Sequence, residues 1–114
     1  MKSFSVMIAL LVMLVSGTVF AGDSTGKVTR IMVHQAGSSG VGAVVMFTAG
    51  TMTDKAACST QANQWAISLE GNKGKAMYAM LLAAKAQGTT VGVTGSGDCN
   101  DWSDRERPIY IWVD

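Results

Sequence analysis

Lys73 to Gln87, KGKAMYAMLLAAKAQ, contains neither proline nor a β-branched residue and is rich in Ala, Leu, Met and Lys. With Asn72 before it and Gly88 after it, the stretch predicts a capped helix. Met77, Met80, Leu81 and Ala84 recur at spacings of three and four, which makes one apolar stripe along that helix. Burying its three large members contributes on the order of 5 kcal/mol. Any fold proposed for this chain must give the stripe a partner, and the flanking segments, which alternate apolar and polar residues, supply it as strands.

The chain opens with a different kind of segment. Lys2 precedes an apolar run from Val6 to Val15, and Val19-Phe20-Ala21 sets small residues where a signal peptidase reads them. Residues 1–21 are therefore expected to be a signal peptide, cut after Ala21. The run is short for a bilayer span and no stop-transfer charges follow it, so no stable membrane anchor is expected after cleavage. Without a cysteine beside the cut, lipid attachment is not expected either. Removing 21 of 114 residues leaves 93 for a single domain, 22–114.

Lys2 is the one charge lost with the leader, so the 9 basic residues become 8 against 8 acidic ones. A balanced chain gives nucleic acid no electrostatic reason to bind. Export to a periplasmic or extracellular compartment also gives the two cysteines, Cys58 and Cys99, an oxidising setting and a single intramolecular pairing. A disulfide there would stabilise the fold by about 4 kcal/mol through loop closure. A metal pair has neither CxxC spacing nor a second histidine to support it.

In order, Lys27 to Gln35 is read as a strand, with Ile31 and Val33 inward and Arg30, Met32 and His34 outward; Gly22 to Gly26 is a polar lead-in. Ala36 to Gly40 is a turn, and Val41 to Thr48 completes a hairpin. A polar connection carries Cys58 to a third strand, Gln64 to Leu69, with Trp65, Ile67 and Leu69 on one face. After the helix, Thr89 to Thr94 is a fourth strand with Val91 and Val93 inward. Asn100 to Arg107 is a charged loop, and Pro108 admits a last strand, Ile109 to Val113, with Ile109, Ile111 and Val113 alternating against Tyr110 and Trp112.

The order strand, strand, strand, helix, strand, strand points to a mainly β fold with one helix: a small five-stranded OB-like Greek-key barrel whose helix plugs one end. An α+β arrangement with the helix across an open sheet is the competing architecture. Ala57-Cys58-Ser59, Trp65, a helix ending in Ala-Gln-Gly at 86–88, a Val-containing strand and a late cysteine together resemble the OB-fold B subunits of the subtilase cytotoxin type and their small secreted relatives. The resemblance covers roughly half of the mature chain. It implies a secreted, non-enzymatic module, in the toxins a homopentamer that binds cell-surface glycans. Those subunits carry more cysteines, and their sugar-contacting serine region has no secure counterpart at Ser24 or Thr25.

Residues suited to catalysis are thin. His34 is the single histidine and has no nucleophile indicated beside it, so no enzyme, metal or cofactor is expected. Gly71-Asn72-Lys73-Gly74-Lys75-Ala76 has glycines too close for a phosphate loop, and Ala76 where Ser or Thr would meet a metal. Asp98, Asn100, Asp101 and Asp104 lack the Gly and closing Glu of a calcium loop. The candidate ligand-binding residues are Trp102, Asp104 and Arg105, an aromatic plate beside a carboxylate and a guanidinium, chemistry that suits a sugar or a cell-surface protein. Tyr110 and Trp112, outward on the last strand, are the candidate interface of a homo-oligomer. The two expected functions are a secreted binding module that recognises a glycan or cell-surface partner, and an envelope protein that acts structurally or as an inhibitor through protein contact.

Overall fold

A computed structural model describes residues 20–35 and 42–114 of the chain. The expected leader up to residue 19 and the expected turn at 36–40 lie outside the described residues. The elements run β1 (Asp23–Gln35), β2 (Ala43–Ala49), β3 (Trp65–Ser68), α1 (Asn72–Gln87), β4 (Thr90–Gly95) and β5 (Pro108–Val113). The strands form one antiparallel sheet in the order β3-β2-β1-β4-β5.

β1 carries this arrangement because its two halves have different partners. Asp23 to Lys27 pairs with β4 and Val28 to Gln35 pairs with β2, with a register shift between Val28 and Arg30 where the strand changes partner. The expected polar lead-in is thus strand from Asp23 onward. Its polarity is explained by period-two exposure: Asp23, Thr25 and Lys27 face solvent, while Ser24 is buried and its hydroxyl accepts a hydrogen bond from the Trp65 indole at 3.0 Å.

The sheet buries parts of both faces. Val28, Phe47, Trp65, Ile67, Val91, Val93 and Ile111 meet Met77, Leu81 and Ala84 of the helix in the main core, with Ile31 and Met80 packed at its margin. On the opposite side Val44, Met46 and Ala66 form a smaller cluster, covered by Met32 and Trp102. This explains the unbroken apolar run of β2, which has a hydrophobic neighbour on each face. It also corrects the reading of β1: Met32 faces that second cluster rather than solvent, and Val33 is 50 % exposed.

Two other expectations change. Ile109 and Val113 are exposed, and of the three residues expected inward on β5 Ile111 alone is buried, packed in the main core. Asn72 is the first helical residue and not the cap; Gly71 holds that position at φ 84°, with no side-chain cap bond. Gly88 ends the helix in the left-handed conformation as expected, and the Thr89 amide donates to the Ala84 carbonyl. Cys58 and Cys99 form a disulfide with Cα atoms 6.1 Å apart.

Candidate functional site

The segment from Ser96 to Arg107 is a loop that joins β4 to β5, and ion pairs and backbone bonds hold its shape. The Arg107 guanidinium donates to both oxygens of Asp98, at 3.1 and 2.8 Å, and the Arg107 amide donates to the Asp98 carbonyl. Burial alone would raise the Asp98 carboxyl. Hydrogen bonds from Arg107, the Asn100 amide and Ser96, together with the Arg107 charge, outweigh it and hold that pKa below the usual carboxylate range. The same hydrogen bond holds the Arg107 guanidinium above its ordinary value. Asp101 accepts from the Ser68 amide at 2.9 Å and pins the loop to the end of β3.

The three expected ligand residues lie together but are already engaged. Trp102 is partly exposed; one side covers Val44, Met46 and Ala66, and its ring centroid is 4.8 Å from that of His34. Arg105 is largely buried: its Nε donates to Gln64 at 2.7 Å, and one terminal nitrogen pairs with Asp104 at 2.5 Å. The Asp104 carbonyl accepts from the Thr60 and Gln61 amides, which fastens the loop to the segment after Cys58. Trp102 and exposed His34 therefore offer contact area here, while Nε and one terminal nitrogen of Arg105 are already bonded within the protein.

A second surface is freer. Tyr110 and Trp112 point outward from β5 with ring centroids 5.8 Å apart, and their side is 54 % and 37 % exposed respectively. Trp112 pairs across the sheet with Gly92, and a Cβ at Gly92 would lie 1.9 Å from the indole, so the ring rests flat against bare backbone. Tyr110 pairs with Thr94, whose hydroxyl donates to Asp23 at 3.1 Å. Two aromatic rings thus stand beside a hydroxyl and a carboxylate on one shelf of the sheet.

The residue that sequence reasoning missed is Glu106. It sits in the charged run Asp104-Arg105-Glu106-Arg107, which reads as solvated, yet it is fully buried. One oxygen accepts from the Ala56 amide at 2.7 Å and the other from the Gly97 amide at 3.2 Å, while the Gly22 amide donates to both, at 3.1 and 2.8 Å. No periodicity in the charged run marks Glu106; the one hint is that it stands two residues before a buried proline opening a strand.

The remaining oxygen-rich and glycine-rich motifs have structural duties. Asp98, Asp101 and Asp104 are committed to Arg107, Ser68 and Arg105, and no group of three acidic, histidine or cysteine side chains converges among the described residues. Gly74 lies against the Ser68 carbonyl, where a Cβ would sit 1.8 Å from the oxygen, so the GNKGK stretch is the packed entry of α1. A cleft of about 120 Å³ beside it is lined by Glu70, Lys73, Asp101 and Arg107, charges of both signs. No helix of the described residues is long and apolar enough to cross a membrane. No protein-family model, characterised protein or solved structure matches the chain.

Proposed function

We propose that this chain is an exported, non-enzymatic binding module that recognises a cell-surface glycan through the aromatic shelf of β5. The observation that carries the reading is the outward pair Tyr110 and Trp112, with Trp112 laid on Gly92 and the Thr94 hydroxyl and Asp23 carboxylate beside them. Sugars present an apolar ring face edged by hydroxyls, and an aromatic plate with adjacent donors and acceptors complements both. The disulfide is compatible with export, where such a bond persists. The partial exposure of Trp102 against His34 extends the same chemistry to the loop end of the molecule. The ligand role expected of Asp104 and Arg105 is weaker, since each already satisfies the other.

An OB-like barrel is the architecture we infer for this module. It is supported by a parallel bridge between Trp65 of β3 and Glu106, just before β5, with the Ala66 amide donating to the Glu106 carbonyl at 3.1 Å. That contact brings together the two outer strands of the sheet. The resemblance to toxin B subunits points the same way, toward both the barrel and a glycan ligand.

The test is a glycan array probed with the exported protein, repeated with Trp112→Ala. Binding that falls at least tenfold in the variant supports the shelf; a blank array, or binding that Trp112→Ala leaves intact, removes the reading. A second reading, contact with protein, has its own observation: Ile109 and Val113 are exposed on the same strand at 50 % and 40 %, apolar area that a sugar does not need. A native mass above that of one chain, reduced to the monomer by Ile109→Lys, would favour self-association through β5.

A further inference from the structure

Glu106 presents an electrostatic problem that the described side chains do not solve. Its carboxylate is wholly buried, and among the described residues no Lys, Arg or His side chain lies within ion-pairing distance of it. Taking a carboxylate out of water without a counter-ion is costly even when amides donate to it. Three amides do so, from positions 22, 56 and 97, and the most engaged of them is Gly22, whose nitrogen reaches both oxygens.

Gly22 is also the residue immediately after the expected leader cut. We propose that Glu106 is a receptor for the chain's own new N-terminus: once the bond between Ala21 and Gly22 is hydrolysed, the Gly22 α-ammonium forms a buried ion pair with the Glu106 carboxylate. The proposal rests on the export reading and is independent of which ligand the mature protein binds. In the hydrolysis, water adds across the amide, so that Ala21 leaves with a carboxylate and the Gly22 nitrogen becomes a protonated amine. The same nitrogen that donated as a neutral amide then carries a full positive charge at the same place.

The local geometry suits this exchange. Phe20 is 55 % exposed and Ala21 is exposed, whereas Gly22 is buried, so the scissile bond stands where the chain enters the fold. Gly22 is held from its downstream side without help from residues 20 and 21. Its carbonyl accepts from the Gly95 amide at 2.7 Å, and Asp23 and Thr53 exchange backbone bonds at 2.9 and 2.8 Å. A side chain at position 22 would press on the site, since a Cβ there would be 3.0 Å from Glu106 Oε1 and 3.2 Å from the Lys55 backbone. An ammonium carries three N–H groups where the amide carries one, so the two oxygens that share a single donor in the uncut chain need no longer do so. Capture of a terminal amine is an established mode of peptide recognition, here carried out by the chain's own buried carboxylate, which the Ala56 and Gly97 amides hold in place. Charge assistance roughly doubles the strength of such hydrogen bonds.

The experiment uses protein exported and processed by the cell, and a second precursor with one alanine inserted between Ala21 and Gly22. In the latter the Gly22 nitrogen remains an amide after cleavage. Each is also made with Glu106→Gln, and intact mass fixes the start of every product. With Glu106 present, the chain that starts at Gly22 is expected to show a folding equilibrium constant roughly tenfold above that of the extended chain in chemical denaturation. In the Glu106→Gln background that difference is expected to vanish. Equal stability of the two starts, or a difference that survives Glu106→Gln, overturns the proposal while leaving export untouched. A natural start other than Gly22, or an uncut chain, overturns it together with the cleavage it rests on. Should Glu106→Gln fail to fold, acylation of the terminal amine decides. The Gly22 amine of the folded protein is expected to react with a succinimidyl ester at least tenfold more slowly than in denaturant, and equal rates overturn the ion pair.

Discussion

Gly95 has no side chain where one would collide with the buried carboxylate. A Cβ there would stand 1.7 Å from Glu106 Oε2 and 2.9 Å from the Trp65 ring, and neither neighbour can yield, because Glu106 is pinned by three amides and Trp65 is wholly buried. Gly95→Ala is expected to cost about 3 kcal/mol or more, measured by chemical denaturation, and a variant with near-normal stability would show that the pocket is loose. Asp98 makes a gentler prediction. Its folded pKa is lowered, so its contribution is present above the unfolded value and disappears as pH falls through the lower folded one, a window that begins at about pH 4 and extends downward. Asp98→Asn should therefore remove one component of acid unfolding; because both partners are about one-third exposed, the loss is about 0.5 kcal/mol at neutral pH. A variant whose acid limb coincides with that of the parent would count against the pair. Trp65 was legible as core because it alternates with Ile67. Glu106 was not, since its burial is decided by donors from Gly22, Ala56 and Gly97, which only the folded chain brings to one point.

At the level of elements, the helix was the easiest to read and its start was the least accurate detail. The Met77, Leu81 and Ala84 stripe is buried as the spacing requires. Asn72 resembles a cap by composition, but the chain enters the helix through Gly71 at φ 84°, a conformation an asparagine would adopt less readily, and so the boundary moved by one residue. The first half of β1 escaped notice for a different reason. Strand patterns are visible when large apolar residues alternate, and the inward positions there are Ser24 and Gly26, small groups that sit beneath Trp65 and beside Gly50. At the other end, Gly88 has φ 66° with nothing near the position of a Cβ, so the cost of substitution is conformational and not steric. Gly88→Ala should lower stability by about 1 kcal/mol, and Gly88→Asn by less, because Asn tolerates the left-handed region. Equal losses for both variants in parallel denaturation curves would mean that the helix end rearranges.

Across the whole molecule the disulfide and the buried carboxylate act on the same two loops. Cys58 lies two residues after Ala56 and Cys99 two after Gly97, and Ala56 and Gly97 are the amides that hold the two oxygens of Glu106. The bridge spans a sequence separation of 41 that contains β3, α1 and β4, so it restrains the unfolded chain over a large part of the domain. Loop-closure entropy for that span gives about 4 kcal/mol, against a net stability of roughly 5 to 15 kcal/mol for a domain of ordinary size. Reduction should therefore remove from about a quarter to most of that margin. The coupling has a further consequence: with the bridge open, the loops that deliver Ala56 and Gly97 have more freedom, so part of the Glu106 contribution is lost at the same time. The combined loss from reduction and Glu106→Gln should then be smaller than the sum of the two separate losses, by about 0.5 kcal/mol or more. Denaturation of oxidised and reduced protein, each with and without Glu106→Gln, measures the difference directly. Strict additivity would show that the bridge and the carboxylate stabilise the end of the sheet independently.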